Sequence, residues 1–450
     1  MTNYSSILKD KSLLLLFAYS PAGFGHLRVS DALYHGLPTG AYPHLLGSQD
    51  KTITYIHRLM SIHSITRALF EWFEQGWAEE FTTPLYRFYL RRHTGLLYQQ
   101  INTIIDQSIL IPKQLLIVAT HFGLAHQAAA IKQKIMKERK IKVTLVVQVT
   151  DDYPHPIWYV PGADIVFVPS QHTKDRLMTY GRKKGLPEVN LEVNPYPLSS
   201  ALNSRLNHSD QSSRPNQLDP TFGTEINVAI PISGAAVGMK FVSALIDNLH
   251  LTSDRFKFHI VSKNAPFTSQ FVSKMNERQY VKIYSSSRDK EVIEIYEELY
   301  MSKVISLEVT KPSEQAFKAL ISPRKKGGSI LLFSRPIGRQ EYDNLNFLRR
   351  YKLIPQQSVQ NKLWAMAKSN NKLEKKDKKE IYQSAKNWRG LFLPEGSKTA
   401  SNFIFWCLRE RIFSTMLSCM DICDRDNNHE YVLQPDGVLE FWKKTAEKLL

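Results

Sequence analysis

Cysteine is nearly missing from this 450-residue chain: only Cys407, Cys419 and Cys423 occur, all in one apolar stretch near the C-terminus. An odd, clustered set fits reduced thiols in the cytoplasm better than a disulfide framework. No uninterrupted apolar run reaches the roughly 18 to 20 residues that cross a bilayer, so any membrane contact is expected to be peripheral. The leucines at 13–16 follow Lys9 and Lys11 as in a signal peptide, but the run is short and leads straight into Ser20-Pro21-Ala22-Gly23, which reads as strand and turn. Zinc-ligand spacing, an RNP-like strand and a basic recognition helix are also missing, which disfavours nucleic acid as a partner. Acidic residues are too few to balance the basic ones: 42 Asp and Glu against 59 Lys and Arg leave a formal charge of +17. That excess favours an anionic partner, such as an acidic membrane surface or a phosphorylated small molecule.

What is present describes a folded, multidomain protein. A hydrophobic fraction of 43% and a charged fraction of 22% are those of globular chains, and the length suggests two or three domains. The apolar run Leu13 to Ala18 breaks into Ser20-Pro21-Ala22-Gly23-Phe24-Gly25-His26 and then a helical pattern, a buried strand, tight turn and helix. Such a turn leaves helix N–H groups unpaired, and the missing Cβ at Gly23 and Gly25 admits a ligand close to the backbone. Further strands are expected over Leu115 to Ala119, Val143 to Val149 and Ile165 to Val168, with helices from about Leu124 to Arg139 and after Ser170. Alternation of this kind argues for a parallel, doubly wound α/β sheet.

The polar stretch 206–224 reads as a linker, after which the theme repeats. Ile226 to Ile230 leads into Ser233-Gly234-Ala235-Ala236 and a helix from Met239 to Leu249. Strands are expected over Phe256 to Val261, Val281 to Tyr284, Val304 to Leu307 and Ser329 to Phe333. Two such halves, 1–205 and 225–357, create a cleft, and a cleft between domains is a usual ligand site. From about Ser358 the chain changes to a lysine-rich run, Lys372 to Lys379, read as a solvated surface helix, followed by packing helices to residue 450.

Four segments follow one another along the chain: Ala22-Gly23-Phe24-Gly25-His26-Leu27-Arg28; Thr120-His121 with Thr150-Asp151, His155 and Trp158; Thr310-Lys311-Pro312-Ser313-Glu314; and Arg335-Pro336-Ile337-Gly338-Arg339-Gln340-Glu341 with Asn344. In this order they resemble the GT-B glycosyltransferases, and within them the group of monogalactosyldiacylglycerol synthase, processive diacylglycerol glucosyltransferases and the lipid II synthase glycosyltransferase. The resemblance implies two Rossmann-like domains facing a cleft, and inverting transfer of a sugar from a nucleotide-sugar, UDP-linked by expectation, to a lipid hydroxyl at the cytosolic membrane face. It implies no cofactor and no metal. His26 would act as base or acceptor orienter, with Asp151 a second candidate base, and Gly23, Gly25, His121, His155 and Trp158 would shape the acceptor side. Ser233, Gly234, Lys311, Ser313, Glu314, Gln340 and Glu341 would bind the donor, Glu314 through the ribose hydroxyls.

Plainer roles stand beside these. His26 could cap the turn, Asp152 could be a solvated turn residue, Trp158 could be core, and Lys-Pro-Ser-Glu could be an ordinary capped start of a helix over Gln315 to Leu320. The donor loop also lacks the pair of glycines usual in the family, and the Ser233 turn is glycine-poor. A UDP-N-acetylglucosamine 2-epimerase, or a non-catalytic GT-B binding protein, therefore stays open. The segment 55–105 mixes Trp72, Phe73, Trp77, Phe81, Tyr86, Phe88 and Tyr89 with Arg67, Arg87, Arg91 and Arg92. Rings beside cations suit a membrane headgroup layer, the contact that this region makes in the resembling enzymes, or else a helical pair packed on the first domain.

Overall fold

The structure, a computed structural model, describes residues 4–19, 24–47, 77–232, 236–418 and 431–450. The chain divides into two compact units, residues 1–199 with 430–450, and residues 200–429. Gly23, Ser233, Gly234, Trp72, Phe73, Cys419 and Cys423 lie outside the described residues, as do the side chains of Trp77 and Phe81.

In the first unit six strands form one parallel sheet: β1 (Leu13–Tyr19), β2 (Pro43–Gly47), β3 (Gln114–Ala119), β4 (Lys142–Gln148), β5 (Ile165–Val168) and β6 (Leu191–Val193). Their order is β2-β1-β3-β4-β5-β6, with Leu15 beside Leu116 and Leu116 beside Thr144 in register. The central strands are apolar runs because helical crossovers cover both faces of a parallel sheet, so neither face needs polar residues. The main helices here are α1 (Tyr4–Leu8), α2 (Phe24–His35), α3 (Trp77–Arg92), α4 (Gly95–Gln107), α5 (Phe122–Arg139) and α6 (Gln171–Lys183).

The second unit repeats the design with β7 (Ile226–Pro231), β8 (Phe256–Lys263), β9 (Val281–Ser286), β10 (Leu307–Thr310), β11 (Ile330–Phe333) and β12 (Gly390–Phe392). Its order, β12-β11-β10-β7-β8-β9, is the dinucleotide-binding order, reversing direction between β7 and β10. The first sheet reverses between β1 and β3. Both units are Rossmann-like, so the chain has the two-domain make-up of the GT-B fold. Helices α7 (His208–Leu218), α8 (Met239–Thr252), α9 (Pro266–Asn276), α10 (Asp289–Ser302), α11 (Gly338–Arg350), α12 (Gln357–Lys368), α13 (Lys375–Ala385), α14 (Ser397–Arg409) and α15 (Ile412–Leu417) belong to it.

Three expectations need correction. The stretch 206–224 is not a free linker: α7 fills much of it and packs in the second unit. It looked unstructured because what it buries is largely polar, Arg214 and Gln217 beside Leu218. The Arg214 guanidinium, 1% exposed, donates to the carbonyls of Ile305, Pro323, Lys325 and Lys326, and burial pushes its pKa down to about 10. The segment 358–450 is also not one extension: residues through 418 complete the second unit, including its edge strand β12, while α16 (Gly437–Leu449) belongs to the first. There Phe441 and Trp442 are fully buried, with Trp442 against Phe17 and Phe441 against Phe167. Finally, the strand expected over Val304 to Leu307 runs over Leu307–Thr310, because the strand accommodates a buried glutamate, Glu308. Among the described residues, no helix is long and apolar enough to cross a membrane.

Candidate functional site

In the first unit the sequence-predicted residues converge at the carboxyl ends of β1, β3 and β4, around the point where the sheet reverses. α2 follows β1 and carries Gly25, buried, and His26, half-buried, in its first turn. His26 Nδ1 lies 2.8 Å from the Thr120 carbonyl oxygen and 3.0 Å from Thr150 Oγ1. A carbonyl only accepts, so Nδ1 carries a proton, and whenever the ring is neutral its lone pair is on Nε2. The partners are themselves fixed: Ser30 Oγ sits 2.6 Å from Thr120 Oγ1 and donates to the His26 carbonyl, and the Tyr196 hydroxyl donates to the Thr150 carbonyl at 2.9 Å. The hydroxyls of Ser30, Thr120 and Thr150 carry no sequence signal of their own; only their places next to strand ends or one helical turn past His26 could have marked them.

Aromatic groups close around the imidazole. The His121 ring lies edge-on to His26 with centroids 5.2 Å apart, Trp158 lies at 6.3 Å, and Phe122 packs against both His121 and Trp158. Trp158 is thus both core and neighbour of His26. It sits in a short 3-10 turn, Pro156–Trp158, capped by His155, whose Nδ1 accepts the Ile157 N–H at 3.0 Å. His126 Nε2 donates to the Ile157 carbonyl, and burial, aided by the Arg87 and Arg91 cations, pushes the His126 imidazole down to about 3. Asp151 Oδ1 accepts the Tyr153 N–H at 3.0 Å. Asp152 is not a solvated turn residue: fully buried, it accepts from Ser170 and Thr173, joining the end of β4 to the start of α6.

Helix α3 is latched to the same loop. Arg87 donates to the Pro156 carbonyl at 3.1 Å and Arg91 to the Pro161 carbonyl at 3.0 Å, while Tyr86 packs edge-on to Phe122. Its other face leaves Leu85, Phe88 and Tyr89 exposed, with the Arg92 guanidinium 4.6 Å from the Phe88 ring centre. The spacing of these residues puts them on one helical stripe.

In the second unit the donor-type residues gather at the carboxyl ends of β10 and β11. Gln340 donates to Glu314 Oε1 at 3.3 Å, and Lys311 Nζ donates to the Arg335 carbonyl at 2.9 Å and lies 3.8 Å from Glu341. Glu341 Oε2 accepts the Ile337 N–H at 2.6 Å, which caps the start of α11, and Asn344, fully buried, donates to the Pro312 carbonyl. Lys311, Glu314, Gln340 and Glu341 are therefore brought together. Ser313 precedes Glu314–Leu320, which is a seven-residue 3-10 segment and not the α-helix expected there, and its side chain makes no cap bond. In the turn after β7, Ala236 holds φ at 51°, in the left-handed region that favours glycine.

Beneath this loop lies a charged cluster that sequence reasoning missed. Glu308 of β10 and Lys318 of the 3-10 segment pair at 2.5 Å, both buried. Tyr296 and Tyr300 of α10 and Gln315 also donate to Glu308, and Lys318 donates to Ser329. Burial alone would raise the Glu308 carboxyl, but the Lys318 charge and the converging hydrogen bonds hold it below the usual carboxylate value. Burial and the neighbouring Glu308 push the Tyr300 phenol well above its ordinary value. The available signal was Glu308 itself, an acid inside an apolar strand, ten residues before a lysine.

No family model matches the chain, and no curated protein matches it. Solved structures similar in backbone include UDP-GlcNAc 2-epimerase from Neisseria meningitidis bound to UDP-GlcNAc, 9% identical, covering 97% of this chain and 99% of that one with a TM-score of 0.49. Anabaena Alr3699/HepE in complex with UDP and glucose is 12% identical over 97% of this chain and 98% of that one, TM-score 0.45. Arabidopsis thaliana UGT89C1 complexed with UDP-L-rhamnose is 11% identical over the same shares, TM-score 0.45. At these identities and scores they speak for neither substrate nor reaction.

Proposed function

We propose that the protein is a glycosyltransferase that moves a sugar from a nucleotide-sugar, UDP-linked, to a hydroxyl of a lipid acceptor at the cytosolic face of a membrane. The observation that carries this reading is the His26 imidazole, oriented by the Thr120 carbonyl so that Nε2 is the basic nitrogen. In the reaction, the acceptor hydroxyl gives its proton to Nε2 as its oxygen bonds to the anomeric carbon, and the nucleotide diphosphate leaves with the electrons of the broken C–O bond. Direct displacement inverts that centre. Glu314 accepts hydrogen bonds from the ribose, Gln340 and Glu341 read the sugar, and Lys311 places a cation for the departing diphosphate. Asp151 is the second candidate base, and His121, His155 and Trp158 shape the acceptor side. The exposed stripe Leu85, Phe88 and Tyr89, latched to the loop that carries Trp158, supports an apolar acceptor.

The test incubates the purified chain with a panel of labelled nucleotide sugars and membrane lipid extract, comparing wild type with Glu314→Ala and His26→Ala. Labelled lipid from wild type, lost in both variants, is the expected result. Transfer that is unchanged in both variants overturns the site. Release of a 2-epimerised sugar without acceptor identifies an epimerase instead, and the absence of both turnover and UDP binding heat identifies a non-catalytic binding protein.

A further inference from the structure

The excess positive charge is unevenly spread. Of the 59 basic and 42 acidic residues, 35 and 23 fall in the second unit, residues 200–429, which therefore carries most of the imbalance. Within it the stretch from Arg349 to Lys386 holds eleven basic residues against three acidic ones. This stretch ends α11 and makes α12 and α13, which Lys362 and Asp377 join by an ion pair at 2.8 Å. The two helices turn Leu363, Ala367, Ile381 and Ala385 into the core of the second unit, as does Leu373 between them.

Their outer side is a lysine field. Lys368, Lys372, Lys375, Lys376, Lys378 and Lys379 are all exposed, and none of them makes an ion pair with a described residue. The acidic groups facing them are Glu374 and Glu380, exposed and likewise without an ion pair, while Asp377 is spent on Lys362. Lys375 with Lys379 is a like-charge pair one helical turn apart, which weakens the helix by itself. An external sheet of anions relieves the repulsion within such a field and releases counterions.

We propose that the outer side of α12 and α13 is an electrostatic docking surface for an anionic lipid bilayer. Clusters of four to eight lysines at a helix surface are attracted to anionic headgroups over a Debye length, without fixed contacts. Two features favour this occupant over nucleic acid. The field is built of lysine, a mobile point charge, and not of arginine with its planar fork for defined phosphates. It also offers no open ring for base stacking: Tyr382 is half-buried, with Lys378 over its face and its hydroxyl bonded to the Glu410 carbonyl. The surface deepens the membrane part of the function proposed above and rests on that part alone, not on the sugar chemistry.

The experiment is flotation of the full chain with vesicles of phosphatidylcholine alone or mixed with phosphatidylglycerol, at low and raised salt. The wild type is compared with K375Q/K376Q/K378Q/K379Q and with a scattered control, K137Q/K274Q/K303Q/K398Q, whose lysines are equally exposed. Thermal melts check that both variants fold, and the pairs K375Q/K376Q and K378Q/K379Q serve if the fourfold variant does not. Partition onto the mixed vesicles should fall about a hundredfold or more in the clustered variant, and by clearly less in the scattered one. Equal binding by the clustered variant and wild type, an equal loss in the control, or binding to a DNA or RNA duplex but not to vesicles each overturns the proposal. Flotation needs no turnover, so vesicle binding without any sugar transfer would refute the reaction and leave this surface standing.

Discussion

At the carboxyl end of the first sheet, His26 is held by a carbonyl and a hydroxyl and surrounded by the rings of His121 and Trp158. At the corresponding end of the second sheet, Glu314 and Gln340 stand beside the Lys311–Glu341 pair, above the buried Glu308–Lys318 pair. One end presents an imidazole set among rings and hydroxyls, the other a cluster of ion-paired side chains. The difference separates two proposed tasks: an imidazole whose tautomer is set by a carbonyl suits proton transfer, whereas an ionic loop suits a charged nucleotide.

The largest effects should follow that division. His26→Ala is expected to lower transfer by about 10²- to 10⁴-fold, the usual contribution of a general base, with donor affinity nearly unchanged. Glu314→Ala should instead weaken UDP binding by roughly 10- to 100-fold, the worth of a charged hydrogen-bonding pair, as read by calorimetric titration. If the two substitutions moved rate and affinity together, the division of labour would fail.

A second contrast concerns stability. Lys318→Met leaves Glu308 as an uncompensated buried charge and should cost about 3–5 kcal/mol in urea unfolding. Adding Glu308→Gln should recover much of it, because the desolvated charge is then gone; a single-variant loss below about 1 kcal/mol would show that the pair is not isolated from water. Acid should reveal a neutral counterpart. Burial, assisted by Lys303 and Lys282, lowers the His259 imidazole to about 4, while its Nε2 donates to Asn227 Oδ1. Below the ordinary imidazole pKa the unfolded chain takes up a proton that folded His259 refuses, so the His259 contribution to stability falls as pH drops from about 6.5 to 4, by about 3 kcal/mol, and then levels. Melting across that window should show a shallower acid limb in His259→Gln.

How far could these two ends be foreseen? The strand β5 and the start of β7 stand where the apolar runs put them, since a strand covered on both faces advertises itself as a continuous hydrophobic segment. Edge strands β2, β6 and β12 are three to five residues long, too short to make a pattern, and were not foreseen. β10 was displaced by Glu308, whose burial depends on Lys318 and two tyrosines from another helix, a relation that no local window contains. Candidates near His26 were readable from the glycine turn and the ordered motifs. The threonine carbonyl and hydroxyl that fix its tautomer were not, because a backbone carbonyl has no letter in the sequence.

The smallest test lies in the turn after β7. Ala236 at φ 51° takes a conformation that costs an L-residue about 1 kcal/mol, so Ala236→Gly should return up to that amount in stability if the strain exceeds the added chain entropy. No change, or a loss, would show the two cancelling, and the turn would then owe nothing to its scarcity of glycine.

The last helix has a consequence for biosynthesis. α16 lays Phe441 and Trp442 on the first sheet, Trp442 Nε1 donates to the Leu33 carbonyl, and Asn194 donates to the Gly437 carbonyl, where a Cβ would stand 2.2 Å from the Pro195 oxygen. Synthesis of this unit is thus interrupted by residues 200–429 and completed only when residues 430–450 have left the exit tunnel. Until then Phe17 and Phe167 lack their cover, which leaves an aggregation-prone surface on the nascent chain.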